Sequence, residues 1–132
     1  MNLTNLFQTL TVADIARDHP VTFVDIGLRD GFQNELDPIA FAVDAIGFEP
    51  EQAAHAALVA NPETRWRSVE ILQQAIGACS GRQTLTLPVL PESGTLMTPD
   101  TEIGRRFRKP AYFEAVRTVE VETVLLDDAL SH

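Results

Sequence analysis

Two carboxylates, each at the end of an apolar run, are the strongest chemical feature of this sequence. Asp25 is followed by Ile26 and Gly27 at the end of the run 21–27, and Glu49 closes the run 45–49. In open α/β sheets, ligands bind beyond the carboxyl ends of parallel strands, where loops and side chains converge. If the two runs are neighbouring parallel strands, both carboxylates belong to one ligand site.

Glycines follow the first carboxylate at two positions, Gly27 and Gly31. Glycine adopts positive φ at little cost and allows a ligand to approach the backbone closely. Glu49 offers two acceptor oxygens, which suit the two hydroxyls of a ribose. Simple turns at the glycines and a helix cap at Glu49 are the structural alternatives. The order and spacing of the set favour ligand binding.

The acid at the end of the first run indicates which kind of nucleotide to expect. A dinucleotide fold carries G-x-G-x-x-G after its first strand, whereas this sequence reads DIGLRDG over 25–31. A carboxylate there repels pyrophosphate, so a fragment of a nicotinamide dehydrogenase is the disfavoured alternative. S-adenosylmethionine carries an ammonium, a sulfonium and a ribose, and acids at both strand ends complement it electrostatically.

Five short motifs occur in an order that resembles the FkbM family of S-adenosylmethionine-dependent methyltransferases. They are FVDIG at 23–27, GFEP at 47–50, QAIG at 74–77, SGTL at 93–96 and VETVLLDD at 121–128, so the resemblance runs from about 21 to 130. It implies a Rossmann-like methyltransferase fold and O-methylation of a small-molecule acceptor, a sugar or natural-product hydroxyl. It also implies that Asp25 and Gly27 line the methionine end of the cofactor, Glu49 binds the ribose, and Gln74 or Ala75 lies near the adenine.

The sequence departs from the family pattern at two places. The family commonly reads D-x-G-A-N-x-G, where this chain has Leu28, Arg29 and Asp30 between its glycines. The family also continues into a K-I-D-x-E-G strand, whereas this sequence ends at His132. We therefore expect an incomplete sheet whose first strand has an unpaired edge. A missing C-terminal segment, a homo-oligomer, or a non-catalytic methyltransferase-like module that pairs through this edge are the alternatives.

Hydrophobic periodicity predicts the remaining elements. A helical segment is expected over 1–20, ahead of a partial methyltransferase domain over 21–132. Its first helix has an apolar face of Leu3, Leu6, Phe7 and Leu10. Thr11 and Asp14 resemble an N-cap pair that opens a second helix.

Within the predicted domain, proline and glycine positions set the element boundaries. A short helix is expected over 32–41, and another begins at Pro50 with an apolar stripe of Ala53, Ala54, Ala57 and Leu58. Further strands are predicted over 68–76, 83–89 and 116–126. The segment 91–110 is predicted to be a loop with at most one short helix.

Composition limits the partners that we expect. The 132 residues suit one domain of modest size. A content of 45% hydrophobic and 22% charged residues is typical of globular proteins. Ten Lys+Arg against nineteen Asp+Glu give a net charge of -9, which opposes binding to nucleic acid.

The sequence also limits the compartment. The first residues do not resemble a secretory signal, and Cys79 is the single cysteine, so the prediction is a cytoplasmic protein. No apolar stretch approaches the ~20 residues that cross a bilayer, so no membrane partner is predicted.

Other reactive groups give weaker signals. The run RRFRK over 105–109 could hold an anionic substrate or a phosphate. A solvated face is the commoner reason for such a run. The three histidines and Cys79 are scattered, so no metal site is predicted. No general base can be identified from the sequence.

Overall fold

The computed structural model describes residues 7–9 and 11–131, and it is a mixed α/β structure. The chain divides into two compact units, Met1–Leu72 and Gln73–His132. The extent of the predicted domain, 21–132, stays a prediction. Residues 7–9 are helical, while Leu3, Leu6 and Leu10 of the predicted first helix lie outside the described residues.

The first unit contains a three-stranded parallel sheet. Its strands are β1 (Val21–Ile26), β2 (Val43–Phe48) and β3 (Ser68–Leu72), and their order is β1-β2-β3. The register of β1 on β2 runs from Val21 opposite Val43 to Ile26 opposite Phe48. The central strand β2 is the most buried, as expected for a parallel strand with neighbours on both sides. The two apolar runs are therefore adjacent parallel strands, as the sequence predicts.

The connection from β1 to β2 contains a 3-10 turn, Asp37–Ala42, and no α-helix. The helix predicted over 32–41 is therefore wrong. Pro38 lies in the first turn of the 3-10 element, where its missing N–H costs nothing. In the middle of a longer helix, a proline at this position would remove a hydrogen bond.

Besides the helical residues 7–9, the described part of the first unit contains the α-helices α1 (Val12–Asp18) and α2 (Gln52–Ala60). The predicted capping pair of Thr11 and Asp14 is wrong, because the Thr11 backbone is already helical (φ -54°, ψ -30°) and its side chain makes no capping bond. Asp14 instead pairs with Arg17 at 3.0 Å. Helix α2 begins at Gln52, two residues later than the predicted start at Pro50, because Glu51 is its N-cap.

The predicted apolar stripe of α2 is only partly correct. Ala54 and Leu58 are half-buried, whereas Ala53 and Ala57 are exposed. His55, for which the sequence favours a solvated position, is half-buried, and its Nε2 lies 3.2 Å from the carbonyl oxygen of Ile71. The packed face of α2 is therefore rotated away from the predicted one, toward His55.

Three aromatic rings form the core of the first unit. The ring centroids of Phe23 and Phe32 are 6.0 Å apart, and those of Phe32 and Trp66 are 5.4 Å apart in an edge-to-face arrangement. Such pairs stabilise a core beyond the area that they bury. Leu28 and Phe32, both buried, come from the connection after β1. This connection therefore covers the sheet with side chains where many α/β proteins place a crossover helix.

The second unit contains a second three-stranded sheet. Its strands are β4 (Ala75–Ile76), β5 (Gly81–Pro88) and β6 (Ala115–Val124), in the order β4-β6-β5. Strand β6 is parallel to β4 and antiparallel to β5. The strand predicted over 116–126 is confirmed as β6, and its burial alternates, because Val121 and Thr123 are buried while Glu120 and Glu122 are exposed.

The single strand predicted over 68–76 is wrong, because the chain forms β3 and β4 in two different sheets. The β2–β3 pairing ends where Phe48 is opposite Leu72, and two polar residues, Gln73 and Gln74, follow.

The remainder of the second unit consists of short helical elements. The segment 91–110 matches its prediction, with one short helix, α3 (Thr101–Arg106), and a 3-10 turn, Pro91–Ser93. A second 3-10 turn, Pro110–Tyr112, and a final helix, α4 (Leu126–Ala129), complete the unit. Among the described residues, no helix combines the length and apolar character needed to span a bilayer.

Candidate functional site

The carboxyl ends of β1 and β2 lie side by side in the first unit. Asp25 is opposite Gly47 in the register, so Glu49 lies two residues beyond the position facing Asp25. With a rise of ~3.3 Å per residue and ~4.8 Å between strands, the two α-carbons are roughly 8 Å apart. The β1–β2 pairing continues past the strands, because the backbone N–H groups of Gly27 and Leu28 both donate to the Phe48 carbonyl, at 3.0 and 2.9 Å.

The loop after β1 makes a sharp turn with left-handed backbone at three positions. Gly27 has φ 87°, Arg29 has φ 35° and Gly31 has φ 109°. The turn closes with a 2.8 Å hydrogen bond from the Gly31 N–H to the Leu28 carbonyl. Positive φ is unusual for a residue with a side chain, so Arg29 stores backbone strain in this loop.

The two glycines of this loop have different surroundings. Among the described residues, no heavy atom other than those of its chain neighbours lies within 4 Å of the position that a Cβ on Gly27 would take. A Cβ on Gly31 would lie 2.8 Å from Oε1 of Glu63. The space beside Gly27 is therefore free of such protein atoms, while the space beside Gly31 is taken by a carboxylate of the same chain. Ligand binding at the two glycines stays a prediction.

Glu49 is buried, with 3% of its surface exposed, and both its oxygens accept backbone hydrogen bonds. Oε2 accepts from the Arg29 N–H at 3.0 Å and Oε1 accepts from the Glu51 N–H at 2.8 Å. Each carboxylate oxygen has a second acceptor direction, but the burial of the side chain leaves little of its surface to a further donor. The structure gives Glu49 a defined orientation at the end of β2. The helix cap, which is the structural alternative for Glu49, is instead Glu51, whose N–H donates to Glu49.

Two neighbouring side chains complete the electrostatics around Glu49. Glu51 caps α2 by accepting a 3.0 Å hydrogen bond from the Ala54 N–H, and its Oε2 lies 3.5 Å from Nη1 of Arg29. Arg29 thus donates its backbone N–H to Glu49 and places its guanidinium beside Glu51. The guanidinium partly balances the charge of the two carboxylates.

Asp25 is half-buried, and burial raises the pKa of its carboxyl group above the ordinary value. Within residues 7–9 and 11–131, no group forms a hydrogen bond or ion pair with this carboxylate. A desolvated anion without a partner is stabilised by any cation that binds beside it. Asp25 is therefore the group in the candidate site with the most to gain from a cationic ligand.

Glu63 and Arg65 hold the site loop, and the sequence analysis missed both. Oε1 of Glu63 accepts from the Phe32 N–H at 2.9 Å, and Oε2 accepts from Nε1 of Trp66 at 3.0 Å. Arg65 donates from Nη2 to the Phe32 carbonyl at 2.8 Å and pairs through Nη1 with Asp37. The ETRW sequence over 63–66, in which two opposite charges lie between a proline and a tryptophan, is the signal that could have found them.

A cavity of about 350 Å³ lies between the same loop, α2 and β3. Its apolar wall comes from Leu28, Phe32, Leu58, Val69 and Ile71, and its lining also includes Arg29, Gly31 and Glu63. Among the described residues, those that line it do not include Asp25, Gly27 or Glu49. The cavity therefore shares the site loop with the cluster at the strand ends without being lined by its two acids, and its size suits a small apolar group.

Gln74 and Ala75, the predicted adenine contacts, lie in the second unit. Ala75 belongs to β4 and is buried at 8% exposure in the cluster that contains Leu85, Leu87 and Val121. Gln74 is half-buried and precedes the strand. The side chain of Ala75 therefore contributes to the core, and a role at an adenine would use its backbone. This role stays a prediction.

Comparisons with known proteins do not assign this chain to a family. No protein-family model, no curated protein and no solved structure matches it. The architecture and the site define the chain as an α/β protein with a parallel three-stranded sheet. Two acids lie at the carboxyl ends of adjacent strands of that sheet.

Proposed function

We propose that this chain binds S-adenosylmethionine at the carboxyl ends of β1 and β2 and belongs to an FkbM-like O-methyltransferase with a Rossmann-like fold. The observation that carries the proposal is the combination of Asp25, a desolvated carboxylate without a partner among the described residues, with the open backbone at Gly27. An acid beside an accessible left-handed glycine at a strand end suits a nucleoside that carries a cationic amino acid.

The residues present fit the parts of this cofactor. Asp25 offers negative charge to the ammonium group, and Gly27 leaves space at the backbone that any side chain would fill. Glu49, oriented by two backbone N–H groups, keeps two acceptor directions for the ribose hydroxyls. Its fixed orientation reduces the entropy lost when a ligand binds.

In the proposed reaction, S-adenosylmethionine supplies an activated methyl group. The chain itself binds and orients: Asp25 neutralises the ammonium group, Glu49 fixes the ribose, and the hydrogen-bonded loop 27–31 keeps both in place. Holding two reactants in register accounts for a large part of the rate in such transfers. Among the described residues, we assign no general base, and the acceptor is a small-molecule hydroxyl.

Calorimetric titration of the 132-residue chain with S-adenosylhomocysteine tests the proposal. We expect saturable binding, weakened about tenfold to a hundredfold by Asp25→Asn, because a charged hydrogen bond contributes about 1.5–3 kcal/mol. The ligand 5′-methylthioadenosine lacks the amino acid part, so its affinity should not respond to Asp25→Asn. Glu49→Gln should weaken both ligands, because both contain the ribose.

The matched control is Glu70→Gln, which removes an exposed carboxylate from β3 of the same sheet. It should bind S-adenosylhomocysteine like the unmodified chain. Absence of binding at millimolar ligand, or preferential binding of NAD, would overturn the proposal. Equal effects of Asp25→Asn on both nucleosides would remove the assigned role of Asp25.

A non-catalytic interaction module is the second candidate, and one observation favours it. Within the described residues β1 lies at an edge of its sheet, and Val21 and Ile26 are each 55% exposed. An open, apolar edge strand is a template for pairing with another chain. This function would be favoured if the chain binds no S-adenosylhomocysteine and self-associates in sedimentation velocity. Val21→Lys should then abolish the self-association.

A further inference from the structure

The cations of this chain are unevenly paired. Ion pairs with acids engage Arg17, Arg29, Arg65, Arg67 and Arg82. Four other cations lie together in residues 105–109, which we call the basic turn. Within the described part of the chain, none of these four forms an ion pair, although the protein has nineteen acids.

The basic turn has a defined backbone. The Lys109 N–H donates to the Gly104 carbonyl at 2.8 Å, and the Arg108 N–H donates to the Arg105 carbonyl at 3.0 Å. These two bonds are the Schellman pattern that ends a helix, and Arg108 has the left-handed conformation at φ 57°. Glycine is the usual residue at this position, so an arginine here keeps a charge at the expense of backbone strain.

The helix that carries the basic turn is packed firmly at its base. Gly104 is buried in α3, and a Cβ at this position would lie 2.8 Å from Cδ2 of Phe113. Only a glycine allows this close approach of the helix to the ring. The packing of α3 against Phe113 therefore fixes the position of the basic turn that follows it.

An apolar side chain projects from the middle of the basic turn. Phe107 is 67% exposed and Ile103 is 45% exposed. The two residues are four positions apart, so they lie on the same helix face. Large apolar side chains with this exposure, surrounded by cations, mark an interaction surface.

The acids of α3 lie at its start, and Glu102, although three and four positions before Arg105 and Arg106, forms no ion pair with them within the described residues. The Asp100 carboxylate is the helix cap, and it accepts hydrogen bonds from the N–H groups of Glu102 and Ile103 at 2.9 and 3.1 Å. Lys109 lies with its Nζ 5.4 Å from the ring centroid of Tyr112. This cation–π contact leaves the charge of Lys109 in place, so the turn keeps all four positive charges.

We propose that the basic turn binds the surface of an anionic lipid bilayer, with its four cations, Arg105, Arg106, Arg108 and Lys109, at the headgroups and Phe107 inserted at the acyl boundary. An anionic bilayer has negatively charged headgroups directly above an apolar acyl layer. The four cations match the headgroups, and the aromatic side chain matches the acyl layer. An acidic protein surface offers apolar contacts only where its own side chains place them, whereas an anionic bilayer offers both everywhere on its surface. Contact of this kind needs no spanning helix. The proposal is independent of the methyltransferase function.

Co-sedimentation of the full chain with lipid vesicles tests the proposal. We expect binding to phosphatidylcholine vesicles that contain phosphatidylserine, loss of binding as salt is raised, and no binding to phosphatidylcholine alone. Arg105→Gln and Arg106→Gln should each weaken partitioning roughly fivefold. Phe107→Ala, which leaves the charge unchanged, should weaken it about tenfold.

Two variants separate binding from folding. Arg108→Gly removes a charge and relieves the left-handed strain, so it should lower vesicle binding while the melting temperature stays the same or rises. Arg82→Gln removes a charge from β5 of the same unit and should leave vesicle binding unchanged. Full binding by Phe107→Ala, or equal loss from Arg82→Gln and Arg106→Gln, would overturn the proposal. Binding to poly-L-glutamate through the same residues, with no binding to vesicles, would overturn it in favour of an acidic protein partner.

Discussion

Oε2 of Glu49 accepts a 3.0 Å hydrogen bond from the backbone N–H of Arg29, and this bond joins the end of β2 to the loop that follows β1. Arg29 has left-handed backbone, so its N–H points at the carboxylate only while the strained conformation persists. Because Oε1 of the same residue accepts from the Glu51 N–H, one buried side chain orders both the loop and the start of α2. The candidate ligand site and the fold of the first unit thus depend on the same carboxylate.

Glu49→Gln should lower the free energy of unfolding by about 1–3 kcal/mol, because the amide oxygen satisfies one backbone N–H and leaves the other facing an NH2 group. Urea denaturation of the variant measures this loss. The control Glu70→Gln, at an exposed position of β3, should change stability by less than about 0.5 kcal/mol. Equal stability of the Glu49 variant and the unmodified chain would show that these two hydrogen bonds do not order the site.

Asp25→Asn should stabilise the chain at neutral pH. Burial raises the pKa of Asp25 in the folded state, so the folded chain holds the proton to higher pH than the unfolded chain. Stability from this group is therefore lost as pH rises through the folded pKa, and the variant avoids that loss. Unfolding free energies measured from pH 7 downward should show the advantage of Asn shrinking as the pH falls.

Asp44 provides a control of opposite sign for that experiment. The Ser68 hydroxyl, followed by Arg67, holds the pKa of Asp44 below its ordinary value. Its stabilising contribution is present above the unfolded pKa and is lost as pH falls through the folded pKa. Asp44→Asn should therefore destabilise the chain at neutral pH and have less effect in acid. The same pH trend for both variants would contradict the assigned causes.

The parallel pairing of β1 and β2 could be predicted from the sequence because each strand is an apolar run closed by an acid. The sequence pattern could not show that Glu49 binds two backbone N–H groups, since one of those donors belongs to a loop whose backbone is strained. It also missed Glu63, whose partners Phe32 and Trp66 are brought together only by the tertiary fold. Local periodicity predicts the strands, while the site loop depends on contacts between residues far apart in sequence.

The strands β6 and β3–β4 show which strand boundaries the sequence can predict. The alternation of β6 is strong because one face is buried and the other is solvated, so its prediction is correct. The run 68–76 has apolar residues on both sides of Gln73 and Gln74, and this short polar interruption alone does not show that Leu72 and Ala75 belong to different sheets. Pairing partners decide where a strand ends, and these partners are distant in sequence.

Alanine substitutions at the two glycines of the site loop should have different consequences. A Cβ on Gly31 would lie 2.8 Å from Glu63, in a backbone with φ 109°. Gly31→Ala should therefore lower stability by about 2 kcal/mol or more, since strain and steric overlap add. Gly27→Ala should cost only the left-handed conformation, about 1–2 kcal/mol, because the space beside it is open.

Thermal denaturation compares the two glycine variants. If S-adenosylhomocysteine binds as proposed, Gly27→Ala should lose that binding while it remains folded at low temperature. Equal melting temperatures for the two variants would contradict the difference in their surroundings.

Glu63→Ala should loosen the loop after β1 by removing the acceptor of the Phe32 N–H and of the Trp66 indole. We expect a loss of about 2 kcal/mol or more, since two donors lose their partner. Trp66 is the only tryptophan, so its fluorescence reports the change directly, and the emission maximum should move to longer wavelength as water reaches the ring. Glu35→Ala, at an exposed position of the same connection, is the matched control and should leave emission and stability unchanged. An unchanged Trp66 spectrum in the Glu63 variant, together with unchanged stability, would mean that the aromatic core holds the loop without this carboxylate.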